Sequence, residues 1–148
     1  MKLFKSKFIS GIYWLMCSFS FSSAMPVQAE SPDDLVVIVN HKFAGTELSA
    51  TEVRRIFKKE MTTFMGNRVK PIHAKTGTSL RQEFISKALG INLAAEQKYW
   101  QDMAVKKGMS PPIELSNTVR GVFSAPGAIS YCYRKDFNPA TARIVLEF

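Results

Sequence analysis

The chain has 148 residues, with 20 basic and 12 acidic side chains and a formal net charge of +8. Its first 29 residues have the pattern of a secretory signal peptide, in which three lysines precede an apolar stretch and Ala29 ends a small-residue cleavage site. Removing 29 residues from 148 leaves 119, which is close to the commonest size of a single domain. We therefore expect a signal peptide at 1–29 and one exported, periplasmic domain at 30–148.

The composition of this domain limits its partners, its relation to membranes and its disulfide bonds. The signal region carries three of the 20 basic residues and none of the 12 acidic ones, so the remaining formal charge is +5, which favours anionic partners. Nucleic acid is a poor candidate, because an exported protein rarely meets it and the basic residues are scattered. No other apolar stretch is long enough to span a bilayer, so no stable membrane insertion is expected after cleavage. Cys132 is the only cysteine left, which excludes an intramolecular disulfide.

Strand and helix patterns alternate from the start of the domain. An unbroken, mostly β-branched run at 35–39 predicts a central strand of the kind that is buried on both faces of a parallel sheet. Ser49 and Glu52 form a capping box, which predicts a helix that packs on this sheet through an apolar face. A second strand is predicted at 69–73, where Pro71 indicates a sheet edge or a strand end.

The same alternation continues to the last residue and predicts the fold class. Helices are expected at 80–90, at 92–108 and from 116 or 117, and strands at 128–133 and 143–148. Strands that alternate with helices indicate an α/β fold with a mainly parallel sheet flanked by helices. Ligands bind such sheets beyond the carboxyl ends of the strands. We therefore expect three loops to converge on a site, at 40–46, 75–79 and 116–118.

The loop at 75–79 is the strongest candidate for a binding site. Gly77 permits a tight turn between a predicted strand and a predicted helix, and the first turn of a helix presents unpaired N–H groups and a partial positive charge. This arrangement predicts a cradle that holds an anion, and Arg81 could pair with two oxygens of a phosphate, sulfate or carboxylate. The candidate ligand-binding residues are Lys75, Thr76, Gly77, Thr78, Ser79 and Arg81, with Asn40 from the first of the three loops.

Other interpretations of these residues remain open. Ser79 and Gln82 fit a capping box by themselves, which would make the hydroxyls a plain helix cap. Enzymatic chemistry needs a nucleophile with a base, or a set of metal ligands, and the two histidines, His41 and His73, have no acidic partner in the pattern. We therefore expect no enzymatic activity, no metal and no cofactor.

A series of short motifs runs through the domain in a fixed order. They are Val37-Ile38-Val39-Asn40, Leu48-Ser49 with Ile56-Phe57, Thr76-Gly77-Thr78 with Leu80-Arg81 and Phe84, and Pro126-Gly127-Ala128-Ile129-Ser130-Tyr131. With these motifs the mature chain resembles the phosphate-binding periplasmic solute-binding proteins of ABC transporters, in a short form that matches one lobe.

The resemblance implies a single lobe of a type II periplasmic-binding-protein-like fold. In that family a Ser/Thr-Gly-Thr loop at a helix start donates hydrogen bonds to phosphate, and Thr76, Gly77 and Thr78 occupy those positions. The implied ligand is phosphate or a similar small anion, and an ABC permease or another periplasmic protein is a candidate partner. Since a lone lobe leaves its anion half in water, we expect either modest affinity, a second copy of the chain that covers the site, or another exported protein that docks over it. The alternative is a ligand-free accessory or interaction module of the periplasm built on the same lobe.

Overall fold

The computed structural model describes residues 31–148, so the predicted signal peptide at 1–29 lies outside the described residues. Within them the chain forms β1 (Leu35–Val39), α1 (Ala50–Phe57), β2 (Thr63–Phe64), β3 (Asn67–Arg68), β4 (Lys70–Ala74), α2 (Ser79–Phe84), a π-helical turn (Ile85–Leu89), α3 (Leu93–Lys107), β5 (Ile113–Leu115), α4 (Thr118–Ser124), β6 (Ala128–Tyr133), a 3-10 turn (Arg134–Asp136) and β7 (Arg143–Glu147). None of the helices in this part of the chain has the length and apolar character needed to cross a bilayer.

Five strands form the central sheet, in the order β5-β4-β6-β1-β7, and β2 and β3 form a separate small hairpin. β4 is parallel to β5 and β6, whereas β1 is antiparallel to its two neighbours, β6 and β7. Four strands therefore point one way and β1 points the other way. The predicted α/β fold with a mainly parallel, helix-flanked sheet is confirmed, but the parallel pairing expected of β1 is wrong. The apolar run at 35–39 indicates that the strand is buried on both faces, but a buried strand can be parallel or antiparallel to its neighbours.

Every residue of β1 is buried because the sheet carries a hydrophobic core on each face. On one face, Phe57 of α1, Phe84 of α2 and Ile85 of the π-helical turn pack on strand residues that include Val37 and Tyr131. On the other face, α4 closes a smaller cluster that includes Val36, Ile38, Ile72, Val122 and Cys132. Alternate residues of β1 contribute to the two clusters, as the twofold periodicity of a strand requires.

Aromatic rings form the part of the core that lies next to the end of β4. The rings of Phe84 and Tyr131 are stacked with their centroids 3.7 Å apart, and the ring of Phe57 is 4.6 Å from that of Phe84. The imidazole of His73, in β4, lies 4.9 Å from the ring of Phe57. This packing fixes α2 against the sheet and so positions the loop that precedes α2.

The helices begin and end where the local sequence predicts, except that the N-cap of α2 is shifted by one residue. The capping box at Ser49 is present, and α3 begins after Asn92 and ends at Gly108 as predicted. The N-cap of α2 is Thr78, whose side chain accepts the N–H three residues further on, so the predicted capping role of Ser79 is wrong. Thr78 has the extended backbone that an N-cap needs, whereas Ser79 is already the first helical residue.

Pro71 is the second residue of β4 and lies where the strand is paired on one side only. β5 pairs with β4 only from Ile72 onward, so Pro71 lies in the part of β4 that has a single strand neighbour. The prediction of an edge position or a strand end at Pro71 is therefore confirmed. The edge strand on this side is β5, a three-residue strand that the sequence analysis did not anticipate.

The stacked aromatic core gives a stability test. Phe84 is fully buried, so we expect Phe84→Ala to lower the free energy of unfolding by about 3–5 kcal/mol, from lost apolar burial and the cavity left behind. Val105 is 88% exposed on α3, and Val105→Ala should change that free energy by no more than about 0.5 kcal/mol. Urea denaturation of both variants measures the difference, and similar losses in the two would contradict this assignment of the core.

Candidate functional site

The loop at 75–79 links the carboxyl end of β4 to the first turn of α2, and all five of its residues are exposed. Gly77 has a φ of +91°, in the left-handed region that favours glycine, so the tight turn predicted at this position is present. The N–H of Thr78 donates to the carbonyl of Lys75 at 3.3 Å, and its hydroxyl donates to the same oxygen at 2.8 Å. We call residues 75–79 the anion loop.

Three backbone N–H groups at this turn have no acceptor within residues 31–148, namely those of Gly77, Ser79 and Leu80. The first N–H groups of a helix cannot bond within the helix, and they carry the positive end of the peptide dipoles. The loop therefore presents donors to solvent at the carboxyl edge of the parallel strands. Such donors can hold a phosphate, sulfate or carboxylate group.

Arg81 was expected to pair with a bound anion, but its side chain is buried behind the loop. Its guanidinium donates from Nη2 to both carboxylate oxygens of Glu96, at 2.8 and 3.0 Å, and from Nη1 to the carbonyl of Ala74 at 3.2 Å. The residue is only 3% exposed. The two-oxygen pairing predicted for a bound anion is thus made with a carboxylate of the protein itself, because α3 brings Glu96 over the first turn of α2.

A chain of buried polar groups extends from this ion pair into the core. The N–H of Ala74 donates to the hydroxyl oxygen of Tyr131, and that oxygen lies 3.0 Å from Nδ1 of His73. Nε2 of His73 lies 3.4 Å from Oε1 of Glu96. Burial raises the pKa of Tyr131 to about 12, so its hydroxyl keeps its proton and can donate to His73. Burial, and then the positive charge of Arg81, hold the pKa of His73 well below 6.5, so this imidazole is neutral.

A second carboxylate, that of Glu114 in β5, occupies part of the anion loop. It accepts the hydroxyl of Thr76 at 2.5 Å and the N–H of Thr76 at 3.2 Å, and Oε1 lies 3.9 Å from Nη2 of Arg81. The hydroxyl of Thr76 is the main cause of the lowered pKa of Glu114. The N–H of Thr76 and the charges of Arg81 and Lys75 act in the same direction, against burial. The loop therefore already binds one anionic group, and that group belongs to the protein.

Asn40 does not lie in this site, because β1 runs antiparallel to β6 and ends at the opposite edge of the sheet. Its N–H donates to the carbonyl of Ala128, at the start of β6, and its side-chain amide donates to the carbonyls of Val122 and Phe123. The prediction that the 40–46 loop joins the anion loop is wrong. His41 lies in the same distant loop and is exposed, whereas His73 is buried, so the two histidines are not brought together.

The other two predicted loops do lie at one edge, since β4 and β5 are parallel and each leads into one of them. Leu80, which follows the anion loop, and the 116–118 segment line a common cavity of about 520 Å³. In that segment Asn117 caps α4 and the hydroxyl of Thr118 donates to the carbonyl of Tyr131, so both are bonded to the protein. On the other side of the anion loop, a groove of about 540 Å³ lies among Thr76, Arg81, Trp100 and Glu114.

Two carboxylates of this site, those of Glu96 and Glu114, were not predicted from the sequence. Glu96 lies in the first turn of α3, where an acidic residue usually complements the helix terminus, and this ordinary role hid its burial. A signal was its spacing of four from Trp100, since these two are the buried residues of α3. Glu114 stands between Ile113 and Leu115 after two prolines, an alternation typical of a strand but very short.

A set of metal-binding side chains is absent from the part of the chain that the structure describes. Within residues 31–148 there is no group of three or more histidine, cysteine or acidic side chains placed to hold an ion. The groups that the anion loop leaves free are backbone N–H donors, which suit an anion and not a cation.

The buried ion pair gives the first test of this geometry. Glu96→Ala leaves the guanidinium of Arg81 buried beside fewer acceptors, so we expect the free energy of unfolding to fall by about 3–5 kcal/mol. Lys98→Ala breaks an exposed ion pair with Asp102 on the same helix and should cost no more than about 0.5 kcal/mol. Chemical denaturation measures both, and a loss below about 1 kcal/mol for Glu96→Ala would contradict the role given to the pair.

The neutral, buried imidazole of His73 gives a second test through pH. Its folded-state pKa lies below its unfolded value, so below about pH 6.5 the unfolded state binds more protons and stability falls as pH falls, by up to about 1.4 kcal/mol per pH unit. His73→Phe should flatten this slope, and His41→Gln, at an exposed histidine, should leave it as in the parent. Urea midpoints at several pH values measure the slopes, and an unchanged slope in His73→Phe would contradict the assignment.

This chain is similar to known proteins in fold, not in sequence. No protein-family model matches the sequence, and no curated protein matches it. The chain is similar to the solved structures of an ABC-type phosphate transport receptor from Vibrio cholerae, of PstS from Borrelia burgdorferi, and of a protein from Clostridium perfringens described as a phosphate ABC transporter substrate-binding protein with bound phosphate. The TM-scores are 0.56, 0.58 and 0.58, at 13%, 14% and 14% identity.

These matches cover 76% of this chain but only 45%, 46% and 44% of the three neighbours, so the chain spans less than half of their length. At such identities the likeness describes architecture and not ligand or partner. The resemblance predicted from the sequence motifs is thereby confirmed at the level of fold. The chain has the fold of a lobe-sized part of the binding proteins of phosphate ABC transporters.

Proposed function

We propose that this chain is an exported, substrate-binding-like protein that holds a small oxyanion, with phosphate as the first candidate, at the anion loop. The observation that carries the proposal is the set of three N–H groups, on Gly77, Ser79 and Leu80, that have no acceptor within residues 31–148. They lie at a helix start on the carboxyl edge of parallel strands, where α/β proteins bind ligands. The likeness in fold to phosphate-binding proteins supports the same assignment.

Each part of the loop has a role in this proposal. The free N–H groups and the hydroxyl of Ser79 donate directly to oxyanion oxygens, and the exposed ammonium group of Lys75 adds positive charge. Thr76 donates as well once its hydroxyl and N–H are released from Glu114. Arg81 acts from behind by holding the loop in place, since Nη1 and Nη2 are committed to Ala74 and Glu96 and the carboxylate of Glu96 offsets its charge. Asn40 takes no part in this proposal, because it lies at the opposite end of the sheet.

The neighbours are more than twice as long as the part of them that this chain matches, and this bears on affinity. A ligand held by one lobe stays partly in water, where polar contacts are weaker than in an enclosed site. We therefore propose modest affinity for the chain alone. A second copy, another periplasmic protein or an ABC permease would cover the loop and tighten binding. Export by the signal peptide at 1–29 and a periplasmic location are parts of the same proposal.

A non-enzymatic role is part of this proposal as well. The structural neighbours are transport binding proteins rather than enzymes. The buried histidine of the site is neutral and is bonded to Tyr131 within the core, away from the exposed loop. Binding and release of an anion need no residue beyond those named above.

One observation favours the second candidate, a ligand-free accessory or interaction module. Glu114 already accepts two hydrogen bonds from Thr76, and Glu96 already accepts two from Arg81. In that alternative the former ligand positions hold the fold together, and partners recognise the surface of the domain. Titration with phosphate separates the two candidates, since the accessory module does not respond to it.

The test of anion binding removes one donor without disturbing the helix. Ser79 is the first residue of α2, a position where proline is well tolerated, and Thr78 before it has the extended backbone that proline requires. Ser79→Pro deletes the free N–H and the hydroxyl together, and Ser79→Ala deletes the hydroxyl alone. We expect Ser79→Pro to weaken phosphate binding about tenfold or more, and Ser79→Ala to weaken it less, in isothermal titration.

The matched control makes the same change at another helix start. Ala50 is the first residue of α1 and follows Ser49, whose backbone is also extended. Ala50→Pro should leave phosphate binding unchanged, and both proline variants should keep the melting temperature of the parent within a few degrees. Equal phosphate affinity in Ser79→Pro and in the parent would contradict the assignment of the anion loop. Absence of any phosphate response, in the parent and also after removal of the Glu114 carboxylate that occupies the loop, would favour the accessory module.

A further inference from the structure

Glu114 stands where an anionic ligand would compete with it. Its carboxylate accepts both donors of Thr76 and lies 3.9 Å from the guanidinium of Arg81. The side chain is 39% exposed and projects from β5, the edge strand of the sheet, so it has open space into which it can turn. The groove of about 540 Å³ that contains Thr76 and Glu114 is part of that space.

Glu114 contacts Thr76 as an ionised carboxylate. The hydrogen bonds from Thr76 and the positive charges of Arg81 and Lys75 favour the ionised form of Glu114. A carboxylate tethered within reach of its donors acts at an effective concentration of the order of millimolar or above, without losing the freedom that a separate molecule loses on binding. A free anion must therefore displace Glu114 before it can use Thr76.

We propose that Glu114 is a built-in competitor for the anion loop, which closes the loop in the resting protein and selects tetrahedral oxyanions over simple carboxylates. The proposal rests on the proposed function of the loop. A monocarboxylate would replace Glu114 on Thr76 with an equivalent group and gain little. A tetrahedral oxyanion has further oxygens that reach the N–H groups of Gly77 and Ser79, which Glu114 leaves free.

The experiment compares inorganic phosphate and acetate as probes of the mature chain and of two variants at this position. Glu114→Ala removes the competitor, and Glu114→Gln keeps the shape of the side chain and removes its charge. We expect Glu114→Ala to bind phosphate about tenfold or more tighter than the parent, and to bind acetate measurably where the parent does not. Glu114→Gln should lie between the two. Isothermal titration gives the affinities, and melting curves verify that each variant is folded.

The control removes one negative charge elsewhere. Glu47 is exposed in the segment between β1 and α1, away from the anion loop, and Glu47→Ala should bind phosphate as the parent does. If it gains as much as Glu114→Ala, the effect is one of net charge and the competitor role is overturned.

The outcomes separate the two levels of the proposal. Phosphate binding by the parent, with unchanged or weaker binding in Glu114→Ala, overturns the competitor role and leaves the proposed function standing. Binding in Glu114→Ala alone supports the competitor role in its strongest form. Failure of phosphate to bind to all three proteins, the parent and both variants, overturns the proposed function, and the competitor role with it. Equal gains for acetate and phosphate overturn the selectivity for oxyanions.

Discussion

The buried guanidinium of Arg81 is the constraint on which the rest of this structure depends. A buried charge is costly unless it is paired and hydrogen-bonded, and here Nη2 of Arg81 donates to the carboxylate of Glu96 and Nη1 to the carbonyl of Ala74. Ala74 is the last residue of β4 and Arg81 lies in the first turn of α2, so this contact closes the loop between them. The same guanidinium anchors α3 through Glu96 and faces Glu114 of β5. One side chain thereby fixes the conformation of the anion loop relative to both neighbouring strands.

Most of the fold could be predicted because local patterns report local structure. The capping box at Ser49, the cap at Asn92 and the glycines that end helices placed the helix boundaries, and the apolar run at 35–39 placed the buried strand. The direction of β1 could not be predicted, because it depends on which strands flank it and not on its own residues. The strand β5 was not predicted, because an alternation of three residues is too short to distinguish a strand from a loop.

The candidate site was predictable only in part, for a physical reason. The turn at Gly77 and the helix start are encoded in consecutive residues, so they were found. The partners of the loop come from positions far along the chain, with Glu96 on α3 and Glu114 on β5, and no local pattern links them to Arg81. Asn40 was misplaced because the convergence of loops was inferred with β1 taken as parallel to its neighbours in a mainly parallel sheet. Long-range pairing of charges thus decided which donors remain free.

The central claim is that a small oxyanion binds to the free N–H groups at the start of α2. The most direct measurement is a titration of nitrogen-15-labelled mature chain with inorganic phosphate, followed by the amide signals in two-dimensional NMR spectra. The account predicts that the amide signals of Gly77, Ser79 and Leu80 shift most and saturate together. Unmoved signals for these three residues at high phosphate, or larger shifts at a separate surface, would contradict it.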